Sequence, residues 1–454
     1  MTATYASLRE QALEALQAQD ARKAYSTFRW ALQYPGAPEL EDPEQWKEAW
    51  ELFARIAASL AGEELADIIR KAAHAPKDAQ ALYYLGYQLI EQKLYGIAAT
   101  PLARAHRLVP RQEPLLLEFI TALEGAGHHE AAVETLHTLP RLVESSFMCR
   151  YRLAYNAIMS GDLEEPRRLV LGLQALLARI PPEDPNAPHY PAMAERIRQM
   201  LARAEALQAV TPLDSSDLRG WHFVVTGGVL LHLSAHGWEA GMNGRYAFVQ
   251  DSVSTCLEGI RRVEAVLSQT GRLLPRVFIL PERYSAILGH ATARVLGVPA
   301  EPWPEQGSDA PGLVVAYDLM NLEPPLLKTL QPHRPGQVLW SHATQWTEEL
   351  PFTADLTTFM YQMNFAPWGE RLRLDPDARP GERTPPAEGP VEELAQGVIS
   401  AKLSEDALED LPVLSRLVAA MGSLKDAAAG GLFVQQGLRR RHLSDSPVKS
   451  GRFG

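Results

Sequence analysis

The chain has little cysteine: two residues in 454, Cys149 and Cys256, more than a hundred positions apart. That spacing excludes a disulfide framework and a cysteine-only zinc site. No apolar run reaches the roughly 18 residues needed to cross a membrane. The first twenty residues, MTATYASLREQALEALQAQD, lack the basic start and apolar core of a secretory leader. A cytoplasmic protein is expected. No GxSxG, P-loop, HExxH or CxxC pattern occurs, so no complete catalytic motif and no metal motif is present. No cofactor is expected, and the enzyme question stays open. The net charge of −11 disfavours nucleic acid as a partner. What remains is an ordinary soluble composition, 46% hydrophobic and 22% charged, long enough for two or three domains.

The clearest pattern is Ala79–Pro110. Leu82, Leu85, Gly86 and Leu89 share one helical face, and Ala98, Leu102 and Ala105 share another, with a break near Lys93–Leu94. This pair of helices resembles a tetratricopeptide (TPR) repeat, a helix–turn–helix unit of about 34 residues. The same register recurs upstream with Ala24, Phe28 and Ala31, and again with Ala66 and Ala73, where Arg70 replaces a large apolar residue. Downstream, Glu113–Glu144 and Phe147–Ile180 continue it, with Ile120 and Pro166 at positions where small residues are expected. Ala192–Ala209 reads as a closing helix.

The resemblance implies a curved helical solenoid over residues 1–210 that binds a protein or peptide partner. Its concave face would carry Arg9, Arg55, Tyr83, Tyr87, Tyr151 and Tyr155. Tyrosines offer large rigid area with a polar tip, which suits a peptide groove.

Residues 211–220 are turn-rich and read as a linker, and the periodicity then changes. Trp221–Thr226 and Val229–Ser234 read as strands joined at Gly227–Gly228, a hairpin signal. Val253–Gln269 reads as a helix, and Arg276–Leu280, Gly312–Tyr317 and Gln337–Ser341 as buried strands. Helices over Ala286–Leu296 and Leu326–Leu330 lie between these strands. This alternation predicts an α/β domain over residues 221–374 with a mainly parallel sheet.

In such sheets ligands bind beyond the C-terminal strand ends. That rule selects Glu282, Arg283 and Tyr284, then Asp318 and Asn321, then His342, Gln345 and Trp346, as a cleft for a small molecule. Arg276–Leu330 distantly resembles the phosphoribosyltransferase layout through Leu296–Gly297–Val298–Pro299. The glycines of a phosphate loop are missing, so the resemblance implies a fold retained after that chemistry was lost. His222, His232 and His236 cluster in sequence, and the hairpin would turn His222 and His232 inward, but further zinc ligands are lacking. Asp251, Ser252 and Ser254 read as helix caps, and Cys256 as a small buried residue.

Residues 375–390 form a proline-rich linker and 391–436 a helical extension. Residues 437–454, with Arg439–Arg440–Arg441, read as a disordered, solvated basic tail, the one place where RNA or an acidic partner would be touched. The expected function is a scaffold or adaptor, with the α/β domain serving a second partner or sensing a small molecule. An enzyme or degenerate transferase regulated by the solenoid, and an oligomerising structural component, are the alternatives.

Overall fold

The computed structural model describes residues 4–236, 241–373, 375, 377, 379, 381–425, 430–434, 437–440 and 445–451. The chain divides into two compact units, Met1–Ala194 and Glu195–Gly454. The division falls inside a helix, upstream of the turn-rich stretch at 211–220.

The first unit is helical. Its helix starts are written as side-chain caps: Thr4 caps α1 (Tyr5–Gln17), Asp20 caps α2 (Ala21–Leu32), and Asp42 caps α3 (Pro43–Leu60). After α4 (Glu63–His74), Asp78 caps α5 (Ala79–Glu91) in the same way. α6 (Tyr95–Leu108), α7 (Glu113–Gly125), α8 (His129–His137), α9 (Pro140–Ser145), α10 (Phe147–Met159) and α11 (Glu164–Leu177) follow. Helices pack in consecutive pairs, α1 on α2, α3 on α4, α5 on α6 and α10 on α11.

The small residues explain the closeness of these pairs. A Cβ added at Gly86 would stand 2.3 Å from Leu102 Cγ, so α5 and α6 cross where no side chain fits. Ala24, Phe28, Ala31, Ala66, Ala73, Ala98 and Ala105 are all buried. Arg70, the departure from the pattern, reaches outward to Glu63 and Asp67. α12 (Tyr190–Leu207) runs across the boundary between the units.

The second unit carries a parallel sheet. Its strands are β1 (Val229–Leu230), β2 (Tyr246–Gln250), β3 (Val277–Ile279), β4 (Ala300–Pro302), β5 (Gly312–Asp318), β6 (Gln337–Gln345) and β7 (Leu356–Phe365), in the order β1-β7-β6-β5-β3-β4. β1 pairs with Leu356–Thr357 and β2 with Tyr361–Phe365, so both lie along the same side of β7. Every pairing in this sheet is parallel.

The connections cover both faces. α14 (Val253–Gln269) and α15 (Arg283–Leu296) lie on one, where a Cβ on Gly259 would meet His342 and one on Gly289 would meet Ile279. A 3-10 turn at Leu319–Asn321, α16 (Pro324–Leu330) and the loop before β7 lie on the other, packing Leu319, Leu330 and Phe352 against Val314, Ala316 and Leu339. Beyond the sheet, β8 (Arg371–Leu372) pairs antiparallel with β9 (Arg383–Thr384), and α17 (Val391–Ile399) and α18 (Leu411–Met421) form a helical tail. Among the described residues no helix is long and apolar enough to cross a membrane.

Four expectations are corrected. Trp221–Thr226 is part of α13 (Leu218–Thr226), capped by Asp217 and closed by Gly227 at φ 81°. A short apolar run buried on all sides carries no period that separates strand from helix. The Gly227–Gly228 hairpin is therefore absent, and β1 pairs with distant β7 instead. β7 itself, LTTFMYQMNF, was not expected; its first six residues are buried on both faces, so its threonines and first methionine show no alternation. Asp375–Pro390 is not simply an extended linker, since it contains β9 and Ala387 donates to the Trp368 carbonyl at 3.0 Å.

The basic tail is the fourth. Arg439 is buried, donating to Asp355 Oδ2 at 2.7 Å and to the carbonyls of Leu330 and Pro332 at 2.8 and 2.7 Å. Nearby Val448 is also buried. An arginine sequence alone reads as solvated; the buried acid that needs it lies far upstream. Arg441 and residues 442–444 and 452–454 fall outside the described residues. So do 426–429 and 435–436 of the expected last helix, whose described residues 423–425 and 430–434 are not helical.

Candidate functional site

Because the strands run parallel, their C-terminal ends meet along one edge. Most of the side chains expected there have structural partners. The Glu282 carboxylate caps α15, accepting from the backbone N–H of Tyr284 and Ser285 at 2.8 and 2.7 Å. Arg283 donates to the carbonyls of Ala387 and Gly389, while Asn321 is exposed. Asp318 accepts from Met320 N–H at 2.9 Å and from the Tyr361 hydroxyl. Gln345 donates weakly to the Gln362 carbonyl. Trp346 is buried, with the Arg245 guanidinium 5.3 Å from its ring. Asp318 pairs with Ala343, so alternation along β6 sets His342 on the opposite face. Arg283, Asp318, His342 and Trp346 therefore do not line one cleft.

His342 belongs to a different cluster. Asp251 ends the link from β2 to α14. The next residue, Ser252, caps the helix by accepting from Thr255 N–H at 3.1 Å. Asp251 is thus released from the capping role expected of it and turns inward, fully buried, with its Oδ1 held by Ser252 N–H at 2.7 Å. Around its Oδ2 stand the Tyr317 hydroxyl at 2.7 Å, His342 Nε2 at 3.2 Å and Cys256 Sγ at 3.8 Å. Cys256 Sγ and His342 Nε2 are 3.7 Å apart. Asn364 donates to the Tyr317 hydroxyl at 3.1 Å. Trp368 packs against Tyr317 and Tyr284, with ring centroids 5.9 and 6.1 Å apart.

Burial pushes the Cys256 thiol well above its ordinary value, and the Asp251 charge adds to this. Tyr317 is raised for the same two reasons. A thiol so held is not a nucleophile. The arrangement is also not an acyl-transfer triad. A relay needs the nucleophile on one imidazole nitrogen and the acid on the other; here both meet Nε2. Nδ1 faces Gly259 and has no hydrogen-bond partner among the described residues. In sequence Asp251 reads only as a cap, and Tyr317 and Asn364 are not singled out for a site, because the three are spread over more than a hundred residues. The three clustered histidines do not converge in the way the hairpin implied: His222 is on α13, while His232 contacts Tyr246 and Glu258 at 2.8 and 3.0 Å.

The first unit has a surface site of another kind. An open groove of about 600 Å³ is lined by Tyr5, Leu8, Trp30, Tyr34, Pro38 and His128 among others. Trp30 is 59% exposed, with the Arg29 guanidinium 4.8 Å from its ring. None of the six expected groove residues lines it. Arg9 pairs with Glu48 at 3.0 Å, Arg55 and Tyr87 are exposed, and Tyr83 is half-buried. Tyr151 and Tyr155 are buried and stacked on one another at 6.1 Å. No protein-family model matches the chain, and no curated protein is significantly similar to it.

Proposed function

We propose that the protein is a binding adaptor. Its paired helices act as a TPR-like solenoid that holds an extended peptide of a protein partner, and its α/β unit serves a second ligand or partner. The observation that carries this reading is the groove at α1, α2 and the α2–α3 connection, where Trp30 stays exposed among Tyr5 and Tyr34. Large aromatic rings with polar edges are the side chains that dominate binding energy in peptide grooves. A peptide bearing one bulky apolar or aromatic side chain fits that lining best.

The test is selection of a random peptide library on the full chain, followed by affinity measurement on Trp30→Ala. Peptides enriched on the parent chain should lose at least tenfold in affinity on the variant, which should melt at the parent temperature. Peptides that bind both equally, or no enrichment at all, would remove the groove from consideration.

A further inference from the structure

We infer that Asp251, Cys256 and His342 together bind one divalent transition-metal ion of the zinc type inside the parallel-sheet unit. The inference does not depend on the peptide groove.

The first ground is convergence. Three donor atoms of different chemistry, Asp251 Oδ2, Cys256 Sγ and His342 Nε2, all lie within 4.8 Å of one another, on three fully buried residues. Their separations are 3.2, 3.7 and 3.8 Å. Ligand atoms at about 2.0–2.3 Å from a tetrahedral zinc stand roughly 3.3 to 3.7 Å from one another. The Tyr317 hydroxyl, donating to the same carboxylate oxygen at 2.7 Å, would hold that ligand in place.

The second ground is that hydrogen bonding alone leaves the cluster poorly used. With Asp251 Oδ2 paired to the imidazole at 3.2 Å, the thiol is left with only long contacts, 3.8 Å to Oδ2 and 3.7 Å to Nε2. A cation among the three would turn each of these atoms into a ligand.

Charge balance is the third ground. Binding releases the thiol proton to solvent, and one thiolate and one carboxylate then cancel the dication. The closed site buries no net charge, which is the condition for burying ions at all. Outer contacts of the kind that orient ligands are also present: Ser252 N–H on Asp251 Oδ1, and Asn364 on Tyr317. The softness of thiolate with imidazole selects zinc or cobalt over magnesium or calcium.

The experiment uses the full chain, stripped with a chelator and titrated with Co²⁺ alone. One equivalent should produce a thiolate-to-cobalt charge-transfer band and visible bands of tetrahedral intensity, and Zn²⁺ should abolish both. Cys256→Ser should lose the charge-transfer band, whereas Cys149→Ser should keep it. A parent chain without the band, or a Cys256→Ser chain that retains it, overturns the site. Should Cys256→Ser fail to fold, the Cys149→Ser chain decides, because Cys256 is then its sole thiol: a band supports the site and no band refutes it.

Discussion

His333 stands 3.5 Å from Asp355, Nδ1 to Oδ1, and is nevertheless held down to about 4 from 6.5. Burial disfavours the imidazolium and outweighs the carboxylate beside it. Arg439, on the other oxygen of Asp355, adds its own repulsion. Asp318 is displaced the other way, pushed up to about 6 from 3.8 by burial, against the Tyr361 hydroxyl and Met320 N–H that favour its charge.

These two groups give opposite pH slopes. For His333 the unfolded chain takes the proton first, so stability falls as pH drops from 6.5 towards 4, by about 3 kcal/mol in total. For Asp318 the folded chain takes it first, so stability rises as pH drops from 6 towards 3.8, by a similar amount. The parent chain should be nearly level across this window. Melting temperatures at pH 6.5 and 4.5 should fall for Asp318→Asn and rise for His333→Gln. Variants that track the parent at both pH values would show that these groups are not the source.

Removing Arg439 should be costly. Arg439→Ala leaves Asp355 buried without a countercharge, with only the Leu339 N–H and the His333 ring beside it, a change expected to destabilise by about 3–5 kcal/mol. Asp355→Asn with Arg439→Met, which removes both charges, should recover part of that loss. Urea unfolding of the parent, Arg439→Met, Asp355→Asn and the double variant measures the cycle, and an Arg439 variant within 1 kcal/mol (about the uncertainty of such a cycle) of the parent would contradict the pairing.

Gly86→Val should destabilise the first unit by about 2 kcal/mol or more. Its Cβ would stand 2.3 Å from Leu102 Cγ, and neither helix can move without opening the pair. Gly86→Val with Leu102→Ala should restore part of the stability in the same calorimetric trace, which a purely local effect on helix propensity would not do.

Native thiols should be inert. Cys149 and Cys256 are both buried, so a disulfide reagent should titrate neither in the folded chain and both in denaturant. Trp368→Ala, which removes the ring packed on Tyr317, should make Cys256 react while Cys149 stays protected, as read by mass mapping of the labelled peptide. Equal labelling of both would mean that the unit had unfolded rather than opened.

The legible parts of this chain are those where chemistry is local. Caps such as Ser252, the small residues at Gly86 and Ala98, and the apolar period of Val253–Gln269 each act within a turn or two, and the helices stand where these residues place them. The continuous apolar strands Gly312–Tyr317 and Gln337–Ser341 were legible for the same reason. Trp221–Thr226 was not, because burial on all sides erases the period. Of the residues that the strand-end rule selected, Glu282 and Asp318 are consumed as caps, and His342 turns to the other face. Asp251, Cys256, His342 and Tyr317 become neighbours only once β2, α14, β5 and β6 are assembled, and no short pattern encodes that.

The pairing of Arg439 with Asp355 also has a temporal side. Asp355 is translated 84 residues before its partner, which at about 5–20 residues per second is roughly 4–17 s of synthesis. Throughout that interval β6 and β7 can form with an unneutralised acid between them. The sheet of a growing chain is therefore incomplete in charge until Arg439 has been made, even when it is complete in strands.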